Sequence, residues 1–153
     1  MEMEHMSAAY IVYEKLSGYK YRLKEDYYIY IPELLNYSIT TEYIRIRPNG
    51  MMCIDKEYAW NGASGPAPDA KWNMRGSLLH DACYQLIRLG KLPESFKGIA
   101  DAILEREMIK DGAWRWVARL FEWATNTFAD YAIKPRKGEG EILFAPKKPE
   151  GLI

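Results

Sequence analysis

The feature that most restricts how this 153-residue chain can fold is a change of hydrophobic period across residues 60–69, "WNGASGPAPD". Before it, apolar side chains recur at every second position, the repeat of a strand; after it they recur every three or four, the repeat of a helix. Gly62, Gly65, Pro66 and Pro68 make the junction unfit for either, because proline lacks the amide hydrogen and glycine weakens any regular element. A chain divided in this way predicts an α+β domain, an N-terminal antiparallel sheet of hairpins followed by a three-helix bundle.

In the strand half, Tyr19, Tyr21 and Leu23, then Tyr27, Ile29 and Ile31, alternate with polar or outward residues and predict two strands. Ile44 and Ile46 alternate with Arg45 and Arg47, Asn49-Gly50 supplies a turn, and Met51 to Ile54 returns, which predicts a hairpin. In the helical half, Trp72, Leu79, Cys83, Leu86 and Ile87 mark one side of a helix that stops near Gly90. A second helix has Pro93 in its first turn, carries Ile99, Ala100, Ile103 and Leu104, and stops at Asp111-Gly112. A third spans about 113–133, where Trp114, Val117, Phe121, Ala124 and Phe128 form a core-facing stripe and leave Trp116 and Trp123 outside it for a lipid or protein interface. Residues 1–134 thus read as one domain. Residues 135–153 read as an extended tail with an apolar island at 142–144, ordered only against a partner or against its own domain.

Charge and cysteine content remove several classes of function. Lys plus Arg and Asp plus Glu number 21 each, so no net field draws the molecule to nucleic acid, and no nucleic-acid partner is expected. Two cysteines, Cys53 and Cys83, exclude a densely cross-linked scaffold and suit a reducing compartment, with a single Cys53–Cys83 bridge left open. The stretch "MEMEHMSAAY" has acids where a signal peptide has positive charge, and no run of 18 apolar residues occurs, so a chain made without a signal peptide and kept soluble is expected. His5 and His80 are too few for a multi-histidine phosphohydrolase or a four-ligand zinc site, and Ser77 lies outside any nucleophile elbow.

What remains is "HDACY", residues 80–84, on the first helix. Adjacent helix residues diverge by about 100°, so His80 and Asp81 serve neighbouring tasks rather than one. Asp101, within the second helix, falls where an antiparallel partner brings a carboxylate to His80, fixing its tautomer and preparing it as a general base. Asp81 faces the glycine-rich loop, where one carboxylate and backbone carbonyls could hold an oxygen-seeking cation.

The loop followed by His-Asp-x-Cys-Tyr is similar to secretory phospholipases of the A(2) class. That resemblance implies calcium-assisted ester hydrolysis with His80 activating water, Asp101 orienting it and Tyr84 bonding to the aspartate. It further implies calcium held by Asp81 and the carbonyls of Trp60, Gly62 and Ser64, with phospholipid as substrate. The disulfide framework of those enzymes is absent: Asn61, Gly76 and Ser77 stand where half-cystines are expected. Over residues 20 to 133 the chain also resembles a family of small uncharacterised tailed-phage and prophage proteins. They share its short strands, an Asp/Asn-Gly-Ala-Ser loop, a His-Asp-x-x-Tyr helix, an Ala-Asp helix and an aromatic last helix. This implies a phage-encoded product, made in the host cytoplasm and associated with the virion. Two readings stay open: a phospholipase-like hydrolase, and a non-catalytic virion structural or accessory protein that uses the helix pair as scaffold and the tail to dock on other virion proteins.

Overall fold

The computed structural model describes residues 7–16, 21–62, 70–120, 142–147 and 149. Its eight strands are β1 (Ile11–Lys15), β2 (Tyr21–Leu23), β3 (Tyr27–Tyr30), β4 (Ile39–Thr40), β5 (Ile44–Ile46), β6 (Met51–Ile54), β7 (Ala59–Trp60) and β8 (Ile142–Ala145). Helices α1 (Met74–Arg88) and α2 (Phe96–Lys110) follow β7, and a third helix, α3, is described over residues 115–120. The architecture is α+β, with antiparallel strands preceding helices of which α1 and α2 pack together.

The strands form two four-stranded sheets, ordered β7-β2-β1-β8 and β3-β6-β5-β4, rather than the single sheet expected. Every pairing is antiparallel. The predicted hairpin is β5–β6, with Ile46 opposite Met52 and the Arg47 amide donating to the Met51 carbonyl at 2.9 Å. The alternation in "YYIYI" also holds: Tyr27, Ile29 and Ile31 are buried while Tyr28 faces out. Although β2 and β3 are neighbours in sequence, β2 pairs with β1 and β7, whereas β3 pairs with β6. Period 2 fixes which face of a strand is buried and carries no information about its partner. Residues 7 and 8 run beside β3, since the Ala8 amide donates to the Tyr28 carbonyl and the Tyr30 amide to Ser7 Oγ, both at 2.8 Å.

The apolar island of the tail is β8. It extends the first sheet by pairing with β1, Ile11 opposite Ala145 and Tyr13 opposite Leu143. Four apolar residues alone could not offset their ordering entropy, but a preformed strand edge supplies hydrogen-bond partners for their backbone.

One apolar core joins both sheets to α1 and α2. Leu23, Ile29, Ile44 and Ile54 from the strands meet Leu78, Leu79, Ala82, Cys83 and Leu86 of α1 and Ala100 and Ile103 of α2. Cys53 and Cys83 are both buried and free, so the bridge left open by the sequence is not made. The α1 terminus is set by Gly90 at φ 72, whose amide reaches the Ile87 carbonyl while Lys91 N–H reaches that of Leu86, a closure that needs the left-handed conformation glycine tolerates. Pro93 lies in a turn ahead of α2 rather than in its first turn, and its carbonyl accepts from the Phe96 amide.

Two helical expectations need correction. Trp72 precedes α1 in a turn and is only partly buried, packing with Leu104, Met108 and Ala118. Trp114 is not a core residue: it is 71 % exposed, with its ring against that of Trp116, and Ala118 is the buried side chain of the described part of α3. The helix begins at 115 rather than at about 113, so Trp114 lies ahead of it and outside its core-facing stripe. Trp116 is exposed as expected and Val117 is partly buried, while Phe121, Trp123, Ala124 and Phe128 lie outside the described residues.

Two features clamp α1 to α2. At Gly76 a Cβ would stand 3.1 Å from Leu104 Cδ1 and 3.3 Å from the Leu104 carbonyl oxygen, so the missing side chain lets the backbones approach. One residue earlier, the buried Arg75 donates from Nη2 to Glu107 Oε2 at 2.6 Å, from Nε to Asp111 Oδ2 at 3.0 Å and from Nη1 to the Tyr27 hydroxyl at 2.9 Å. Burial drives the Arg75 pKa down, but the hydroxyl and carboxylates around it outweigh that and hold the guanidinium charged. Burial likewise pushes the Tyr27 hydroxyl up, to about 12. This network ties both helices to the second sheet.

Candidate active site at the α1–α2 contact

The close approach at Gly76 determines what can meet one turn further along. His80 and Tyr84, four residues apart, share the face of α1 that looks at α2, and Asp101 lies in the first half of α2. His80 Nε2 and Asp101 Oδ1 are 2.7 Å apart, and the Tyr84 hydroxyl donates to that same oxygen at 2.8 Å. The Tyr84 ring also lies over the imidazole, with centroids 4.2 Å apart and planes inclined at 33°. The three residues named from the sequence are therefore brought together.

An ionised carboxylate only accepts, so Asp101 places the imidazole proton on Nε2 and leaves the Nδ1 lone pair free in the neutral ring. Asp81 Oδ1 stands 3.9 Å from Nδ1, beyond hydrogen-bond reach but close enough to act through its charge. Burial lowers the His80 pKa, yet the bond to Asp101 and the charges of Asp81 and Asp101 prevail, so it lies above the usual histidine value. The imidazolium that a general base forms on taking a proton is thereby stabilised where it arises.

Asp81 points the other way along α1, toward the end of β7, where its Oδ2 accepts from the Asn61 amide at 3.4 Å. Trp60 is anchored in the core, its Nε1 donating to Ser77 Oγ at 3.2 Å, and the Ser77 hydroxyl in turn donates to the Met74 carbonyl at 2.9 Å. Ser77 is thus a packing residue, facing Trp60 and not His80. Gly62 is buried at φ 77, and Ser64 lies outside the described residues. Among the described residues no group of three or more His, Cys, Asp or Glu side chains is gathered that could hold a metal ion, and the backbone atom of 60–62 that meets Asp81 is the Asn61 amide.

The Cys83 thiol, fully enclosed and pushed up to about 12 by burial, is excluded as a nucleophile. The dyad is itself enclosed, His80 being 5 % and Asp101 8 % exposed, and Asp81 is the more accessible group next to it.

Sequence reasoning missed Arg75, although a signal was present. The buried α2 stripe Ala100, Ile103 continues at the same spacing into Glu107 and Asp111, and the α1 stripe Leu86, Ala82, Leu79 continues back to Arg75. Acids and a cation extending two apolar stripes imply a buried ion network. Comparison with protein-family models, curated proteins and solved structures finds no match for this chain. Among the described residues no helix is long and apolar enough to cross a membrane.

Proposed function

We propose that the chain is a phospholipase-like ester hydrolase in which His80 is the general base. The observation that carries this reading is the 2.7 Å contact of His80 Nε2 with a carboxylate that Tyr84 also holds, which leaves Nδ1 as the one basic nitrogen of the ring. Nδ1 takes a proton from water as the water oxygen bonds to the ester carbonyl carbon. When the tetrahedral centre collapses, that proton passes to the departing alkoxide, giving an acid and an alcohol. Asp101 keeps the ring orientation and tautomer throughout, and Tyr84 fixes Asp101. Asp81 with the carbonyls of Trp60, Gly62 and Ser64 would hold calcium, which supplies polarisation of the ester carbonyl and compensation of the oxyanion charge. Phospholipid is the proposed substrate, and resemblance to the tailed-phage proteins supports a phage-encoded product.

The burial of His80 and Asp101 favours a second reading: a polar bracket that holds α1 and α2 in register within a virion structural or accessory protein. Release of fatty acid from mixed phospholipid vesicles separates the two. Calcium-dependent release by the wild type that disappears in His80→Ala supports the hydrolase; no release across several lipids and divalent ions removes it and leaves the bracket.

A further inference from the structure

Away from the dyad, the outer face of α2 and the start of α3 enclose a groove of about 410 Å³ lined by Ala102, Glu105, Arg106, Ile109, Lys110 and Arg115. The α2 members recur at the three- and four-residue spacing of a single helix face, the one turned away from the core. Ala102 and Ile109 give this groove an apolar floor, and its rim is mostly cationic. The cations differ in how they are matched. Both terminal nitrogens of Arg106 meet Glu33, but its Nε is buried without a hydrogen-bond partner, the closest carboxylate contact being Glu107 Oε1 at 3.6 Å. Lys110 is largely exposed and reaches Glu107 Oε1 at 3.3 Å, an oxygen that Arg106 also approaches. Arg115 is exposed and makes no ion pair among the described residues. The one acid on the lining, Glu105, faces Arg119 at 3.4 Å.

The exposed Arg115 guanidinium, which makes no ion pair among the described residues, and the exposed Lys110 ammonium stand on one groove beside an apolar floor, and their common complement is a negatively charged oxygen. The groove is open to solvent and large enough for a compact ligand to lie along it. We propose that this groove binds a small organic anion, a phosphate or carboxylate carried on a compact apolar body. Arg115 and Lys110 hold the charge, and Ile109 and Ala102 lie under the body. A phospholipid headgroup and a free phosphate ester present the same chemistry here. The site is separate from the dyad and does not depend on hydrolysis.

Calorimetric titration of the full chain with phenyl phosphate, inorganic phosphate, and vesicles with and without phosphatidylglycerol tests it. Saturable one-to-one binding of phenyl phosphate is expected, weaker for inorganic phosphate, which lacks the apolar body. Arg115→Ala, which removes an exposed side chain that makes no ion pair among the described residues, leaves the melting temperature unchanged and weakens binding about tenfold. Lys97→Ala, at an exposed site off the groove, leaves it unaltered. Binding of phenyl phosphate without anionic vesicles assigns a soluble ester; Arg115-dependent binding of anionic vesicles assigns a headgroup. No saturable binding of any of these anions, or equal binding by Arg115→Ala and wild type, overturns the proposal.

Discussion

Replacing Arg75 by methionine gives the sharpest test of how α1 is held. Arg75 is 7 % exposed, and its removal leaves the Asp111 side chain with no bonded cation among the described residues, while Glu107, 1 % exposed, loses its partner at Oε2 and keeps only Lys110 and Arg106 at Oε1. Breaking a buried pair by deleting one partner costs about 3–5 kcal/mol, because the charge left behind has lost its solvation and its partner. A domain of this size melts about 2–4 °C lower for each kcal/mol lost, so a fall of about 6–20 °C is expected. Equilibrium urea unfolding followed by circular dichroism, alongside thermal melts, measures both quantities. The triple variant Arg75→Met, Glu107→Gln, Asp111→Asn removes the orphaned charges and should recover a large part of the loss. Lys97→Ala, which breaks an exposed 2.9 Å pair with Glu94, should change stability by less than about 1 kcal/mol. A loss below about 1 kcal/mol in Arg75→Met, or a triple variant no more stable than the single, would refute the reasoning.

Three further outcomes follow from the helix pair. Gly76→Val forces α1 off Leu104 and should cost about 1–3 kcal/mol, whereas Gly76→Ala sets a helix-propensity gain of about 1 kcal/mol against a tight contact and should be near neutral; a valine variant as stable as the alanine one contradicts the close approach. Because the folded His80 pKa is raised, its contribution to stability is full below the unfolded value near 6.5 and is lost as pH rises through the folded value. With a chelator present, urea titrations from pH 5.5 to about 8.5 should therefore show a decline in wild type that His80→Asn lacks, and equal slopes would count against the Asp101 contact. In Cys53→Ser the remaining Cys83 thiol, held near 12, should react with a disulfide reagent at pH 8 only as fast as the protein opens; rapid labelling without urea would show the core to be accessible.

How much of this was legible in the sequence depended on how local the signal was. Tyr27, Ile29 and Ile31 announce their buried face by spacing alone, and the β5–β6 hairpin by spacing and its Asn-Gly turn. The meeting of His80 with Asp101 was legible because two adjacent helices joined by a short turn must pack antiparallel, which leaves little freedom in their register. The separation of β2 from β3 into two sheets was not legible, since pairing is decided across the chain. Neither was β1, whose run Ile11 to Glu14 is buried at each position and so lacks alternation. Arg75 went unseen because a charged residue on a helix is ordinarily solvated, and only three-dimensional packing puts Glu107, Asp111 and the Tyr27 hydroxyl around it.

The pairing of β1 with β8 sets an order of events during synthesis. β1 leaves the ribosome early and finds β2 at once, but its opposite edge has no intramolecular partner until residues 142–145 emerge. A contact between segments so far apart along the chain closes late and slowly. Throughout that interval a nascent or truncated chain carries a bare strand edge able to template a neighbouring copy. Ribosome stalling or proteolytic clipping ahead of residue 142 therefore turns the first sheet into a seed for aggregation, whatever the state of the helices.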